Sequence, residues 1–229
     1  MRKLLAALML VVLLSPTATT KAILMDPPRA FANGAWADES GNGVPDLYVC
    51  FSLGTIFDNR ASLMNALREA WPLAVRMEFI SSGQCDNNPN DNITVSFGDL
   101  GVCSYVSGGI GGRANVPNYT PYYQVNIQIN AQCQNMGLFD WADYPTDQGK
   151  ASVPTILIHE VGHALGLAHS SGFVGYDRVM MYSNFPVQCG SGWNSSARLA
   201  ADDAAWFRAR YGGLASTGAS FPTSSVCGN

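Results

Sequence analysis

The chain has 229 residues, with 13 Lys and Arg against 17 Asp and Glu, for a formal net charge of −4. This acidic balance argues against nucleic acid or an anionic membrane surface as a partner. The length suits one domain with its own core and little more.

The N-terminus has the pattern of a signal peptide. Arg2 and Lys3 precede an apolar run from Leu4 to Leu14, which is too short to span a membrane as a helix. We predict a signal peptide over residues 1–22, followed by a secreted, extracellular chain without membrane insertion. Removing Arg2, Lys3 and Lys21 leaves 13 − 3 = 10 basic residues against 17 acidic ones, a net charge of −7.

Residues 23–45 form an N-terminal segment that ends in a stretch rich in glycine and acidic residues. From Asp38 to Asp46, oxygen-bearing side chains recur around glycines in a pattern that resembles the calcium loops of extracellular proteins. A structural Ca²⁺ site is one interpretation of this stretch. A solvated turn rich in Asp and Gly is the other.

The middle of the chain predicts an α+β fold with a mixed sheet. Residues 61–79 have helical apolar spacing interrupted at Pro72, and the predicted strands are Leu47–Phe51, a strand at Phe79, Ile93–Phe97 and Tyr123–Ile129. Between the last two strands lies the glycine-rich stretch from Ser107 to Arg113. It is either an exposed strand edge that pairs with an extended peptide or a flexible surface loop.

The cysteines are even in number and contain no C-x-x-C pair. In a secreted chain this pattern favours up to three disulfides over a metal cluster, and 15 pairings are open. The alternative is that one or more of the thiols stay free and buried. The six residues are Cys50, Cys85, Cys103, Cys133, Cys189 and Cys227.

All three histidines of the chain fall in one H-E-x-x-H-x-x-G-x-x-H stretch, as His159, His163 and His169. Residues at i and i+4 stack on one helix face, so His159 and His163 can share a metal ion. Glycine readily takes the left-handed conformation that ends helices, so Gly166 should stop the helix and let His169 return as the third ligand. Thr155, which follows Pro154, can cap the start of the helix.

Three protein ligands leave the fourth position of a zinc ion open, which is the catalytic arrangement. Glu160 lies about 100° further round the helix than His159, so it is poorly placed as a ligand. It can instead reach a metal-activated water and act as general base and then general acid. The sequence therefore predicts a catalytic Zn²⁺ on the three histidines, with Glu160 as the catalytic residue.

This stretch, followed by Ser170, resembles the zinc site of the metzincin metallopeptidases, and among them the matrixins. The family also has a methionine turn beneath the zinc, which Met181 or Met180 supplies here. With Met181 in that role, Phe185 lines the specificity pocket. With Met180, as in astacins, Tyr182 can swing toward the metal. The resemblance extends over residues 46–212 and includes a final helix at residues 199–212.

The resemblance implies a twisted, mixed five-stranded sheet with an active-site helix, a backing helix and a C-terminal helix. It assigns residues 46–213 to a catalytic domain and residues 214–229 to a tail. It implies a monomeric zinc endopeptidase that acts on protein or peptide substrates. The alternative function is a secreted binding or adhesion protein that keeps zinc for stability. A narrower rival is another metzincin branch, such as the astacins.

The chain departs from the matrixin pattern in three ways. The spacing from His169 to Met181 is longer, and no histidines remain for a second, structural zinc. The Pro-Arg-Cys-Gly segment that keeps matrixins latent is also absent. Residues 23–46 can therefore be a short latency segment in which Asp26, Asp38 or Asp46 blocks the zinc.

Overall fold

The computed structural model describes residues 40–44, 46–71, 77–86, 91–103, 111–117, 124–141, 150–167 and 169, together with the backbone at 188–189 and 192–193. The predicted signal peptide, the methionine turn with Tyr182 and Phe185, the final helix at residues 199–212 and the tail lie outside these residues.

Five strands form one mixed sheet in the order β2-β1-β3-β5-β4. The first four strands in this order run parallel, and β4 runs antiparallel to β5 at the edge of the sheet. This confirms the predicted α+β class and the mixed five-stranded sheet. The strands are β1 (Asp46–Phe51), β2 (Glu78–Gln84), β3 (Ile93–Gly98), β4 (Gly112–Asn115) and β5 (Val125–Asn130).

Two longer helices pack against each other and against the sheet. They are α2 (Arg60–Ala70) and α4 (Val153–Ala164). The shorter elements are α1 (Thr55–Asp58), α3 (Ala131–Asn135), the parallel pair β6 (Phe139–Asp140) and β7 (Ala151–Ser152), and the antiparallel pair β8 (Gln188–Cys189) and β9 (Gly192–Trp193). In the part of the chain described here, no helix is long and apolar enough to cross a membrane.

Helix α2 ends at Ala70, next to the interruption that the sequence predicted at Pro72. Proline has no N–H to donate and its ring clashes with the preceding turn, so it ends helices. Glu78 and Phe79 pair with β1, which confirms the predicted strand at Phe79. The apolar spacing was correct within the helix itself, where Leu63, Leu67 and their neighbours are buried.

The core lies between the helices and one face of the sheet. Strand β5 buries Val125, Ile127 and Ile129 and turns Asn126 to solvent, which is the alternation expected for a sheet covered on one face. Trp71, at the end of α2, is fully buried. Its indole N–H donates a hydrogen bond of 3.2 Å to the carbonyl oxygen of Ile158 in α4. This bond connects the end of α2 to α4.

Two disulfides join the described residues, and both support the prediction of disulfide pairing. Cys50 in β1 bonds to Cys85, just after β2, across 35 residues of sequence. Cys103, after β3, bonds to Cys133 in α3 across 30 residues. The side chain of Cys189 and the whole of Cys227 lie outside the described residues, so a third bridge stays a prediction.

The glycine-rich loop before β1 is folded back onto the first residue of that strand. Asp46 is buried, and its carboxylate accepts a 2.7 Å hydrogen bond from the backbone N–H of Ser40 and one of 3.3 Å from the Ser40 hydroxyl. Asn42 donates to Glu78 at 2.6 Å. The Asp46 carboxylate is thus engaged within its own loop, while Asp26 and Asp38 lie outside the described residues. Calcium binding and latency remain predictions.

Candidate metal centre and catalytic residue

The cap of helix α4 lies three residues earlier than predicted. This cap is Ser152, not Thr155, because the Ser152 hydroxyl oxygen accepts a hydrogen bond of 3.3 Å from the backbone N–H of Thr155. The Thr155 hydroxyl donates to the same oxygen at 2.9 Å. Pro154 lies in the first turn, where a missing N–H costs little. A serine cap before a first-turn proline is an ordinary helix start, and the sequence analysis had overlooked it.

The end of α4 confirms the role predicted for Gly166. The helix stops at Ala164, and Gly166 has a φ of 96°, in the left-handed region. The backbone N–H of Gly166 donates to the carbonyl oxygen of His163, and that of Leu167 donates to the carbonyl oxygen of Gly162, both at 2.9 Å. These two bonds are the Schellman pattern of helix ends. They reverse the chain so that His169 returns toward the helix.

The structure brings the three predicted ligands together. The Nε2 atom of His169 lies 3.1 Å from Nε2 of His159 and 3.0 Å from Nε2 of His163. Two zinc-bound nitrogens at about 2.0–2.1 Å from the metal in tetrahedral geometry are separated by about 3.3 Å. Within the described residues, this is the only group of three or more His, Cys, Asp or Glu that could hold a metal ion.

The environment of His163 prepares one of its ring nitrogens for a metal. Its Nδ1 lies 2.7 Å from the carbonyl oxygen of Leu167, which can only accept, so Nδ1 carries the proton and Nε2 is free to ligate. Burial lowers the pKa of His163 to about 4. Burial also lowers the pKa of His169. Both imidazoles are therefore neutral at neutral pH, as metal binding requires.

Glu160 directly follows His159 in the sequence. Its side chain is buried, with 5 % of its surface exposed. Burial raises its pKa to about 8, against the opposing effects of a hydrogen bond from the backbone N–H of Ala114 and of the positive charge of Arg113. A carboxyl group whose pKa is raised toward neutrality suits general acid–base chemistry. A divalent cation at the histidines would favour the ionised form of Glu160.

Three groups near the site were missed by the sequence analysis. They are the carbonyl oxygen of Leu167, the backbone N–H of Ala114 and Gly112, whose Cα faces Glu160. The first two are backbone groups, so the type of residue at these positions does not indicate them. The third lies in the glycine-rich stretch for which a strand edge was one interpretation, and Gly112 and Arg113 do lie in the edge strand β4.

Comparison with known proteins agrees with this site. The family model described as Matrixin, a peptidase family, matches residues 57–212, which is more than half of the chain. This match includes the strands β2 to β5, helix α4 and all three histidines. No curated protein sequence matches the chain at a significant level.

Proposed function

Since this chain belongs to the matrixin family of peptidases, we propose that it is a secreted zinc-dependent endopeptidase. The observation that carries the proposal is the convergence of three imidazole nitrogens within 4.8 Å of one another. Three imidazole nitrogens directed at one point are the arrangement that a shared metal ion requires. The donor set of three neutral histidines suits Zn²⁺ with an open fourth position.

His159, His163 and His169 would hold the zinc, and Leu167 fixes the ring orientation of His163. When bound, zinc supplies a Lewis acid that polarises a carbonyl oxygen and makes a water molecule more acidic. Glu160 takes the proton from the water that attacks the peptide carbonyl and passes it to the leaving amine. The hydrogen bond from Ala114 holds the Glu160 carboxylate for these two proton transfers.

The open edge of β4 is the proposed binding surface for an extended peptide. The backbone N–H of Asn130, in β5, donates a hydrogen bond of 2.9 Å to the carbonyl oxygen of Gly111. Bonded and non-bonded residue pairs alternate along an antiparallel ladder, so Gly112 and Ala114 direct their backbone groups outward. A substrate strand can add to this edge through the outward backbone groups other than the Ala114 N–H, which donates to Glu160.

The remaining assignments belong to the same proposal. Residues 1–22 are a signal peptide, residues 23–45 are an N-terminal segment that binds Ca²⁺ or confers latency, and residues 214–229 are a tail. The catalytic domain spans residues 46–213 and works as a monomer on protein or peptide substrates. The even cysteine count and the two disulfides support secretion, because such bonds persist in oxidising compartments.

The second candidate function is a secreted binding protein that keeps zinc only for stability. Against it stands Glu160, since a structural zinc site needs no buried carboxyl group beside its ligands, held by a backbone donor. The two functions differ in one simple respect. Bound zinc is expected of both, whereas proteolysis that a chelator abolishes is expected of the enzyme alone.

The test is digestion of a peptide library by the purified chain after residue 22, with and without a zinc chelator, beside Glu160→Gln and Glu160→Ala. Both variants should bind one zinc ion per chain and lose cleavage by roughly 10²–10⁴-fold. Full activity in Glu160→Gln would remove Glu160 from its proposed role. If the wild type binds zinc and cleaves nothing, the next variant lacks residues 23–46. Cleavage by this variant would show latency, and continued lack of cleavage would support the binding-protein alternative.

A further inference from the structure

The edge strand β4 crosses helix α4 directly over Glu160. Ile156 and Glu160 are four residues apart in α4 and so lie on one face of the helix. A Cβ atom added at Gly112 would lie 2.6 Å from Cγ2 of Ile156, 3.1 Å from Cγ of Glu160 and 3.2 Å from its Oε1. The first of these distances is far inside van der Waals contact. Gly112 therefore allows the strand to approach the helix at this point.

The need for glycine at this position is steric. Gly112 is absent from the glycines with positive φ, so an L-residue could adopt its backbone conformation. The only cost of a side chain there is its collision with Ile156 and Glu160. Any residue larger than glycine would push β4 away from α4 or turn the Glu160 side chain aside.

The same strand donates the hydrogen bond that orients Glu160. The backbone N–H of Ala114 points to the edge where no strand of the described residues pairs with β4, and it donates to the Glu160 carboxylate. Gly112 and Ala114 are two residues apart, so they face the same side of β4. One residue thus provides the space for the Glu160 side chain and the other provides its donor.

We infer that Gly112 is a positioning residue for Glu160, because its missing side chain lets the N–H of Ala114 hold the Glu160 carboxylate in place. This inference rests on the proposed peptidase function. The inference extends that function by assigning the orientation of the general base to a strand that precedes the H-E-x-x-H stretch by more than forty residues. Gly112 itself does not touch the reacting atoms.

Gly112→Ala is the direct test. Its Cβ should displace β4 or Glu160 and lengthen the bond from Ala114, so kcat should fall by roughly 10–100-fold, as expected for misplacement of a catalytic group by about 1 Å. The zinc content should stay close to the wild-type value, because no metal ligand is touched, while KM reports any displacement of the proposed peptide-binding edge β4. The measurements are steady-state kinetics on one peptide, zinc per chain by elemental analysis, and the melting temperature.

Gly111→Ala is the matched control. A Cβ at Gly111 would lie 3.2 Å from Cδ1 of Ile156, the flexible end of that side chain, and Glu160 is not among its neighbours. The two variants add the same methyl group to adjacent residues of one strand region. Gly111→Ala should therefore keep the wild-type kcat. An equal loss of kcat in both variants would show a merely structural effect of extra volume and would overturn the inference.

Ala114→Pro provides a second test that adds no volume at Gly112. Proline removes the N–H that Glu160 accepts, and it is tolerated on edge strands where the N–H faces away from the sheet. Its kcat should fall as in Gly112→Ala, and an unchanged kcat in a folded Ala114→Pro variant would overturn the inference. This variant tests the inference even if Gly112→Ala fails to fold.

Crystal structures of the zinc-loaded wild type and of Gly112→Ala give a readout that is independent of cleavage. The inference requires that the Glu160 carboxylate lie farther from the Ala114 nitrogen in the variant. An unchanged Glu160 would overturn it, whatever the kinetics. A wild type without proteolysis would instead defeat the proposed function, and these two structures would still decide whether Gly112 positions Glu160.

Discussion

The Nδ1 atom of His163 lies 2.7 Å from the carbonyl oxygen of Leu167, four residues further along the chain. This single bond connects a proposed metal ligand to the turn that ends helix α4. The turn is closed by Gly166, whose φ of 96° places it in the left-handed region. The orientation of the His163 ring and the return of His169 therefore depend on the same glycine.

Gly166→Ala should weaken zinc binding by roughly 10–100-fold, because strain at Gly166 would move Leu167 and with it the ring of His163. The strain itself costs about 1–2 kcal/mol, since an L-residue is disfavoured in the left-handed region. Competition with a chromophoric chelator measures the affinity. Gly137→Ala is the control, because Gly137 also has a positive φ, 68°, but lies at the end of α3. Equal affinities in both variants would contradict the role of the turn.

The metal-free protein should lose stability as the pH rises, owing to Glu160. Burial raises the pKa of Glu160 from 4.5 to about 8. Between these values the folded chain holds a proton that the unfolded chain has released. The free energy of unfolding therefore falls as the pH rises, by at most about 1.4 kcal/mol per pH unit. Glu160→Gln cannot ionise and should lack this fall, which urea titrations of both proteins would measure.

His163 acts in the opposite direction at lower pH. Burial lowers its pKa from 6.5 to about 4, so the unfolded chain holds the extra proton between these values and stability rises with pH. This contribution is common to the wild type and Glu160→Gln, so it cancels when their unfolding free energies are subtracted. A difference that stays constant with pH would argue against a protonated, buried Glu160 in the folded chain.

Loss of the Cys50–Cys85 disulfide should destabilise the fold by about 3–4 kcal/mol, the value expected when a loop of 35 residues is released in the unfolded chain. The change is the double substitution of both cysteines by alanine, measured by chemical denaturation. The control is the same substitution of Cys103 and Cys133. That pair spans 30 residues, so a similar loss is expected. A negligible loss for both pairs would contradict this account.

Trp71→Phe should lower the free energy of unfolding by about 2–3 kcal/mol. The substitution leaves the carbonyl oxygen of Ile158 without its buried indole donor and leaves space where the larger ring was. Zinc stoichiometry should not change, because the indole hydrogen bond ends on the backbone of Ile158, which is not one of the proposed ligands. Trp141→Phe is the control, since Trp141 is only half-buried against Phe97, and it should cost clearly less.

Local geometry explains what could be predicted from the sequence. His159 and His163 converge because residues at i and i+4 share a helix face, and Gly166 ends the helix because glycine takes a positive φ easily. The strands around Ile93 and Val125 followed from their alternating apolar residues. The interruption predicted at Pro72 is confirmed, since α2 ends at Ala70. The predicted cap of α4 was wrong, because Ser152 caps that helix in place of Thr155.

The sequence by itself determined the class of fold and pointed to the proposed ligands and the proposed general base, because each depends on residue type and on spacing along the chain. Only the tertiary structure decided how Glu160 is held. Its donor, Ala114, and the space made by Gly112 come from an edge strand whose position is set by pairing with β5. That contact joins residues far apart in the chain through a backbone N–H and a missing side chain, and neither leaves a pattern in the order of amino acids.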